Sequence, residues 1–120
     1  MIDSVIVTPG YVSPITFGEE LFAVGGHLYS SFNTDVLELE QGSWVDIFQT
    51  ADALWLAGNS PDNILGLGPY GRLYWYNGSS WTSLNVGANS SILFYDAWSD
   101  GSQTFITGND DRKTYVFHGY

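Results

Sequence analysis

Few residue types in this chain can do chemistry, and their spacing narrows the choice further. There are two histidines, His27 and His118, and no cysteine. The histidines stand far apart and outside any His-x-His or His-Glu-x-x-His spacing, so no metal site is expected. The "GNDD" at Gly108–Asp111 sets two carboxylates side by side. A calcium loop spaces its oxygen ligands out instead, so a solvated turn is the expectation. No Gly-x-Ser-x-Gly occurs and no Gly-rich loop opens a helix, which leaves no nucleophile elbow and no phosphate cradle. Asp52 and Asp96 fall on strands expected to line a central channel. Two carboxylates are what glycoside hydrolysis needs, so a carbohydrate-active enzyme is the alternative function.

Groups that bind rather than react are better represented. "GHLYSSFNTD" (Gly26–Asp35) carries His27, Tyr29, Phe32 and Asn33. "PYG" carries Tyr70, and "NDDRK" carries Asp110, Asp111 and Arg112. All three stretches are expected to be loops joining the second and third strands of a repeating unit, and so to emerge at one end of the molecule. Loops on a rigid scaffold are where binding residues concentrate. Rings, amides and carboxylates together suit a neutral polar ligand such as a glycan, or a protein partner. The ligand-binding set expected is therefore His27, Tyr29, Asn33, Tyr70, Asp110, Asp111 and Arg112, with no cofactor and no catalytic residue.

Bulk properties exclude other partners. The net charge is −10, and Arg72, Arg112 and Lys113 are the only basic groups apart from histidine. A nucleic-acid backbone or an anionic membrane surface needs several such groups, so neither is expected. No positive n-region precedes Val5-Ile6-Val7, and no apolar run approaches a membrane span. The default expectation is a cytoplasmic protein, or one exported without a cleaved signal.

The scaffold that positions the loops is written as a repeat. "LELEQGSW" and "YWYNGSSW" end on Trp44 and Trp81, 37 residues apart. "LFAVGG", "ILGLGP" and "TFITGN" align on Gly25, Gly68 and Gly108. Aromatic residues are 17% of the chain and Gly/Asn/Ser turns separate short apolar runs, a composition that favours β-sheet over helix. The strands expected are Tyr11–Phe17, Leu21–Gly25, Val36–Glu40 and Ser43–Ile47 in the first unit. They are Asp52–Asn59, Asn63–Gly68, Arg72–Asn77 and Ser80–Leu84 in the second, and Ile92–Ser99, Gln103–Gly108 and Thr114–Gly119 in the third. The third unit lacks a fourth strand. A spare strand-like run, Asp3–Thr8, precedes the first, for twelve strands in all.

The Gly25-Gly26 pair with the later Trp44 resembles a kelch repeat, and "GRLYWYNGSSW" resembles the strand–turn–strand phrase of tandem bacterial β-propeller blades. The resemblance implies an all-β chain of three four-stranded propeller blades, one domain over residues 1–120, with repeats at about 11–47, 52–84 and 92–119. Propellers usually have four to eight blades, so a homodimer of six blades is expected, with Asp3–Thr8 of one chain completing the last blade of the other. The rival architecture is a monomeric sandwich or barrel of about ten strands. Runs such as "RLYWY" and "TYVF" are then expected to be packed on both faces, with Tyr74, Trp75 and Tyr76 in the core. Trp44 and Trp81 are expected to close one blade against the next. Glu38, at the position of Trp75 in the repeat, is expected on an exposed face or paired with Arg72. The function expected is a non-enzymatic binding or interaction module; a purely structural assembly protein is a further alternative.

Overall fold

The structure, a computed structural model, describes residues 20–32, 34–50 and 52–119. These form eleven β-strands and no helix. They are β1 (Glu20–Val24), β2 (His27–Phe32), β3 (Asp35–Glu40), β4 (Ser43–Gln49), β5 (Trp55–Ser60), β6 (Asn63–Leu67), β7 (Leu73–Tyr76), β8 (Trp81–Leu84), β9 (Leu93–Ser99), β10 (Thr104–Asn109) and β11 (Thr114–Gly119). Every strand pairs antiparallel with its sequence neighbour inside its own sheet. The result is three meanders, β1-β2-β3-β4, β5-β6-β7-β8 and β9-β10-β11, none of them closed. Turn chemistry sets the hairpins. Gly25 and Gly26 both carry positive φ, which lets two residues join β1 to β2. The Asn77 and Asp100 carboxamide and carboxylate oxygens each accept backbone N–H groups two and three residues on, closing the β7–β8 and β9–β10 turns.

One sequence expectation is corrected at once. Gly26–Asp35 is not a loop: most of it is β2, paired with β1 through Phe22↔Tyr29 and with β3 through Tyr29↔Glu38. The first sheet therefore obtains four strands from Glu20 onward. Tyr11–Phe17 and Asp3–Thr8 lie outside the described residues, as does Asn33.

The three sheets stack face to face with the second in the middle. Alternation along its strands explains why they read as continuous apolar runs. Ile64, Tyr74, Tyr76 and Trp81 point to the first sheet, where they meet Tyr29, Val36 and Phe48. Leu65, Leu67, Leu73 and Trp75 point the other way, onto Phe94, Ile106 and Phe117 of the third. Ile64, Leu73 and Phe94 have no measurable exposure. The first strands of the sheets lie side by side, β1 against β5 and β5 against β9.

Among the described residues, each outer sheet packs against another sheet on one face only. On the first, Leu21 is 67% exposed and stands on the side opposite Phe22 and Tyr29, together with exposed Ala23, half-buried Leu28, Leu39 and Trp44, and buried Leu37. On the third, Trp98↔Phe105↔His118 form a cross-strand row beside Val116, which is 66% exposed. The Phe105 and His118 rings stack at 4.4 Å. "TYVF" is thus packed on one face only, unlike "LYWY", and Trp44 closes onto no other sheet among the described residues.

Candidate functional site

The hairpin ends divide into two sets. At one end the β1–β2 turn meets the β5–β6 turn, where Gly25 lies against Pro61, and the β5–β6 hairpin meets the β9–β10 turn, where Gly101 faces Asn59. At the other end the β6–β7 turn is sewn to the start of β9 by Gly71 N–H donating to Ile92 O (2.6 Å) and Phe94 N–H donating to Gly68 O (3.1 Å). Tyr70 sits on that second end, as does the β10–β11 turn with Asp110, Asp111 and Arg112. His27 sits on the first. The expected single cluster is therefore split, because a strand replaces the expected loop and carries His27 to the opposite end.

Tyr70 is the most ligand-like of the expected residues. It is 63% exposed, holds a positive φ of 59°, and lies under the Arg72 guanidinium at 5.6 Å from the ring centre. Arg72 is also anchored below, donating to both oxygens of Asp52 at 2.8 and 3.0 Å. Tyr74 donates to the same carboxylate and accepts from Thr50. Asp52 is 4% exposed and precedes β5 rather than lying on it. This corrects its assignment to an open channel: it is a buried counter-ion that fixes the base of the Tyr70 loop. Buried carboxylates require such partners.

Asp110 is committed to its own turn. One oxygen accepts the N–H groups of Arg112 and Lys113 at 2.7 Å each, and the other accepts from Tyr115 at 2.9 Å. These donors hold its carboxyl below the usual carboxylate range. Asp111 and Arg112 are exposed at the tip.

At the opposite end a cleft of about 440 Å³ opens between the first two sheets, lined by His27, Tyr29, Glu38, Asp62 and Tyr76. His27 Nδ1 lies 2.7 Å from Glu38 Oε2, and the imidazole stacks over Tyr29 at 6.2 Å. Glu38 is thus mostly buried and paired, but with His27 and not Arg72; its side chain is 13% exposed. The pair repeats, with different chemistry, the Trp75 Nε1 to Asn63 Oδ1 bond of the second sheet (2.9 Å). That equivalence is why a carboxylate can stand where the repeat has tryptophan. Tyr29, expected on a loop, is 1% exposed and belongs to the core.

Burial, reinforced by the Glu38 charge and then by Tyr76, pushes the Tyr29 phenol up to about 12 from its ordinary 10. The folded state therefore favours the neutral phenol. That stability is fully present below pH 10 and is lost as pH rises through 12. Urea midpoints measured from pH 9 to 12 should fall steadily for the parent chain and less steeply for Tyr29→Phe.

Sequence reasoning missed a third feature. A recess of about 250 Å³ beside the first strands is lined by Glu20, Trp55, Tyr95 and Asp96. The Glu20 carboxylate accepts the Leu56 N–H, and burial raises its affinity for a proton above that of an ordinary glutamate. In the sequence Glu20 belongs to the turn signal "FGEE" before the expected strand Leu21–Gly25, and no periodicity distinguishes it. Asp96 is exposed here, as its place on β9 requires. Among the described residues no cluster of three His, Asp or Glu side chains is arranged to hold a metal ion.

No family model matches the chain, and no curated protein or solved structure matches it.

Proposed function

We propose that the protein is a non-enzymatic interaction module, half of a six-bladed β-propeller that is completed by a second copy. The observation that carries this reading is the pair of apolar outer faces on the first and third sheets, against which no other sheet packs among the described residues. The middle sheet demonstrates how such faces pack when covered. Leu39 and Trp44 of the first sheet hold the places that Tyr76 and Trp81 hold in the second. Likewise Trp98, Phe105 and Val116 face away from the second sheet as Phe22, Tyr29 and Val36 of the first face toward it. The third sheet of one copy set on the first sheet of another repeats the packing already present twice within the chain. A two-fold axis makes two such contacts and closes the ring. On the third sheet Trp98, Phe105 and Val116 are all exposed, and apolar surface of this kind marks an interaction site.

The ligand end is the one that carries Tyr70 and the Asp110–Arg112 turn. A rigidly based, exposed aromatic ring flanked by polar groups fits a neutral glycan or a flat protein epitope. The enzymatic alternative now rests on Glu20 and Asp96, since Asp52 is neutralised by Arg72. The recess beside the first strands is its place, and glycoside turnover abolished by Asp96→Asn in a folded protein would favour it.

Light scattering at micromolar concentration should give the mass of two chains. Phe105→Asp and Leu21→Asp, one from each outer face, should each give one chain with the strand signature intact. A monomeric parent chain overturns the reading. A dimer that binds glycans on an array should lose that signal with Tyr70→Ala.

A further inference from the structure

The cleft between the first two sheets has the chemistry of a cation site. It measures about 440 Å³, within the roughly 300–1,000 Å³ usual for small-molecule sites. Glu38 of β3 stands on one wall, and Asp62 of the β5–β6 turn stands on the other. Each carboxylate uses one oxygen inside the protein. Glu38 Oε2 faces His27 Nδ1, and Asp62 Oδ1 accepts from the Ser60 hydroxyl. Glu38 Oε1 and Asp62 Oδ2 have no partner among the described residues. The three Lys and Arg side chains of the chain, Arg72, Arg112 and Lys113, sit at the opposite hairpin end. None of them neutralises this cleft.

Tyr29 supplies the observation that points to a ligand. It is 1% exposed, and its hydroxyl makes no hydrogen bond among the described residues. Burying a hydroxyl without a partner is costly. Among the described residues Trp81 Nε1 is the one polar side-chain atom both sealed and unpartnered, so the Tyr29 hydroxyl opens into the cleft that Tyr29 lines. The Glu38 carboxylate is near enough to act on that hydroxyl through its charge. Tyr76, on the facing wall, is already engaged, its hydroxyl donating to Gly78 O at 3.1 Å. The Tyr29 oxygen is therefore a free acceptor beside a carboxylate.

The placement of these acceptors says which kind of cation. Among the described residues no three His, Asp or Glu side chains gather to hold a metal ion. The two carboxylates belong to facing walls, so charge carried at both ends of a chain meets them better than a compact ion does. An ammonium also offers N–H donors to a phenol oxygen and is attracted to aromatic faces. We propose that the cleft binds a free linear aliphatic diamine in its diammonium form. One ammonium donates to Glu38 and to the Tyr29 hydroxyl, the other donates to Asp62, and the methylene chain lies against Tyr76. The site is complete within one chain and does not depend on a second copy.

Calorimetric titration of the full chain with putrescine in low-salt buffer is the test. One diamine should bind per chain. Butylamine, with a single ammonium, should bind about tenfold more weakly, as expected when one charge-assisted contact is lost. Glu38→Gln and Asp62→Asn should each weaken putrescine binding by a similar factor. Tyr29→Phe keeps the ring in the core and should weaken it about threefold or more through the lost acceptor. Asp46→Asn removes the same charge from an exposed carboxylate of β4 that is bonded to Gln49, and should leave binding unchanged. An equal loss with Asp46→Asn means general attraction to a chain of net charge −10 and overturns the proposal. Butylamine binding as tightly as putrescine also overturns it, as does an unaffected Tyr29→Phe. Displacement of putrescine by calcium at matched ionic strength overturns it in favour of a metal. The parent chain gives a measurement free of any folding defect. With isotope-labelled tyrosine, the ring signals of Tyr29 and Tyr76 should move on titration and that of Tyr70, at the opposite end, should stay. Unmoved Tyr29 and Tyr76 signals at millimolar putrescine refute the site.

Discussion

Phe94→Ala should lower the stability of the fold by about 3–5 kcal/mol, the range for deleting a fully buried aromatic. The ring has no measurable exposure and packs edge-on to Phe117 at 5.6 Å, among Leu65, Leu67 and Ile106. Its loss removes one of the main apolar contacts between the third sheet and the second. The site has little freedom to collapse, because its own N–H is tied to Gly68 O across the same boundary. Urea unfolding at one fixed protein concentration measures the effect, and Val116→Ala is the control. Val116 stands on the third sheet's outer face, so in a monomer that change should fall within about 0.5 kcal/mol.

Gly58→Ala should be as damaging, although it adds a single methyl group. Gly58 lies at the β5–β6 register shift, where Gly58 pairs with Ile64 and Ser60 with Asn63. A Cβ there would drive into the carbonyl oxygen of Asn63 and stand 2.9 Å from the Ile64 Cα. Both obstacles are backbone of the buried middle sheet and cannot swing aside. Overpacking of this sort costs about 1–3 kcal/mol when side chains can adjust, and here the upper end or more is expected. Gly26→Ala separates this from a conformational effect. Gly26 has a φ of 81° and nothing within 4 Å of an added Cβ, so only the left-handed backbone resists the change. About 1–2 kcal/mol is expected there. Equal losses at the two positions would show that the crowding at Gly58 is relieved by backbone movement.

The sequence carries the β-class of this chain openly and its face assignments only in part. "NILGL" and "LYWY" read as buried on both sides because they are: the middle sheet has neighbours front and back. "TYVF" has the same composition, yet Val116 faces outward, since nothing in a strand's own letters says whether another sheet follows. The β2 strand was hidden for a different reason. "HLYSSF" carries a histidine and two adjacent serines, and the repeat sets it against the much shorter Pro69–Gly71 turn. Aligning Gly25 with Gly68 pairs turns at opposite ends of their sheets, which displaces the first repeat by one strand. That displacement also explains the split site. Asp52 and Glu38 were misplaced because each is paired by a residue 20 or 11 positions away, a distance at which neither periodicity nor turn chemistry speaks.

All three sheets are built from hairpins in chain order, and among the described residues no register pair joins residues more than 16 apart. Folding rates of small domains fall as the sequence separation of contacting residues grows. A chain of this kind forms each sheet from local pairings as it is synthesised, and only the docking of one sheet on the next must await later residues. It should fold faster than sandwiches of similar length, with the step that joins the third sheet to the second coming last.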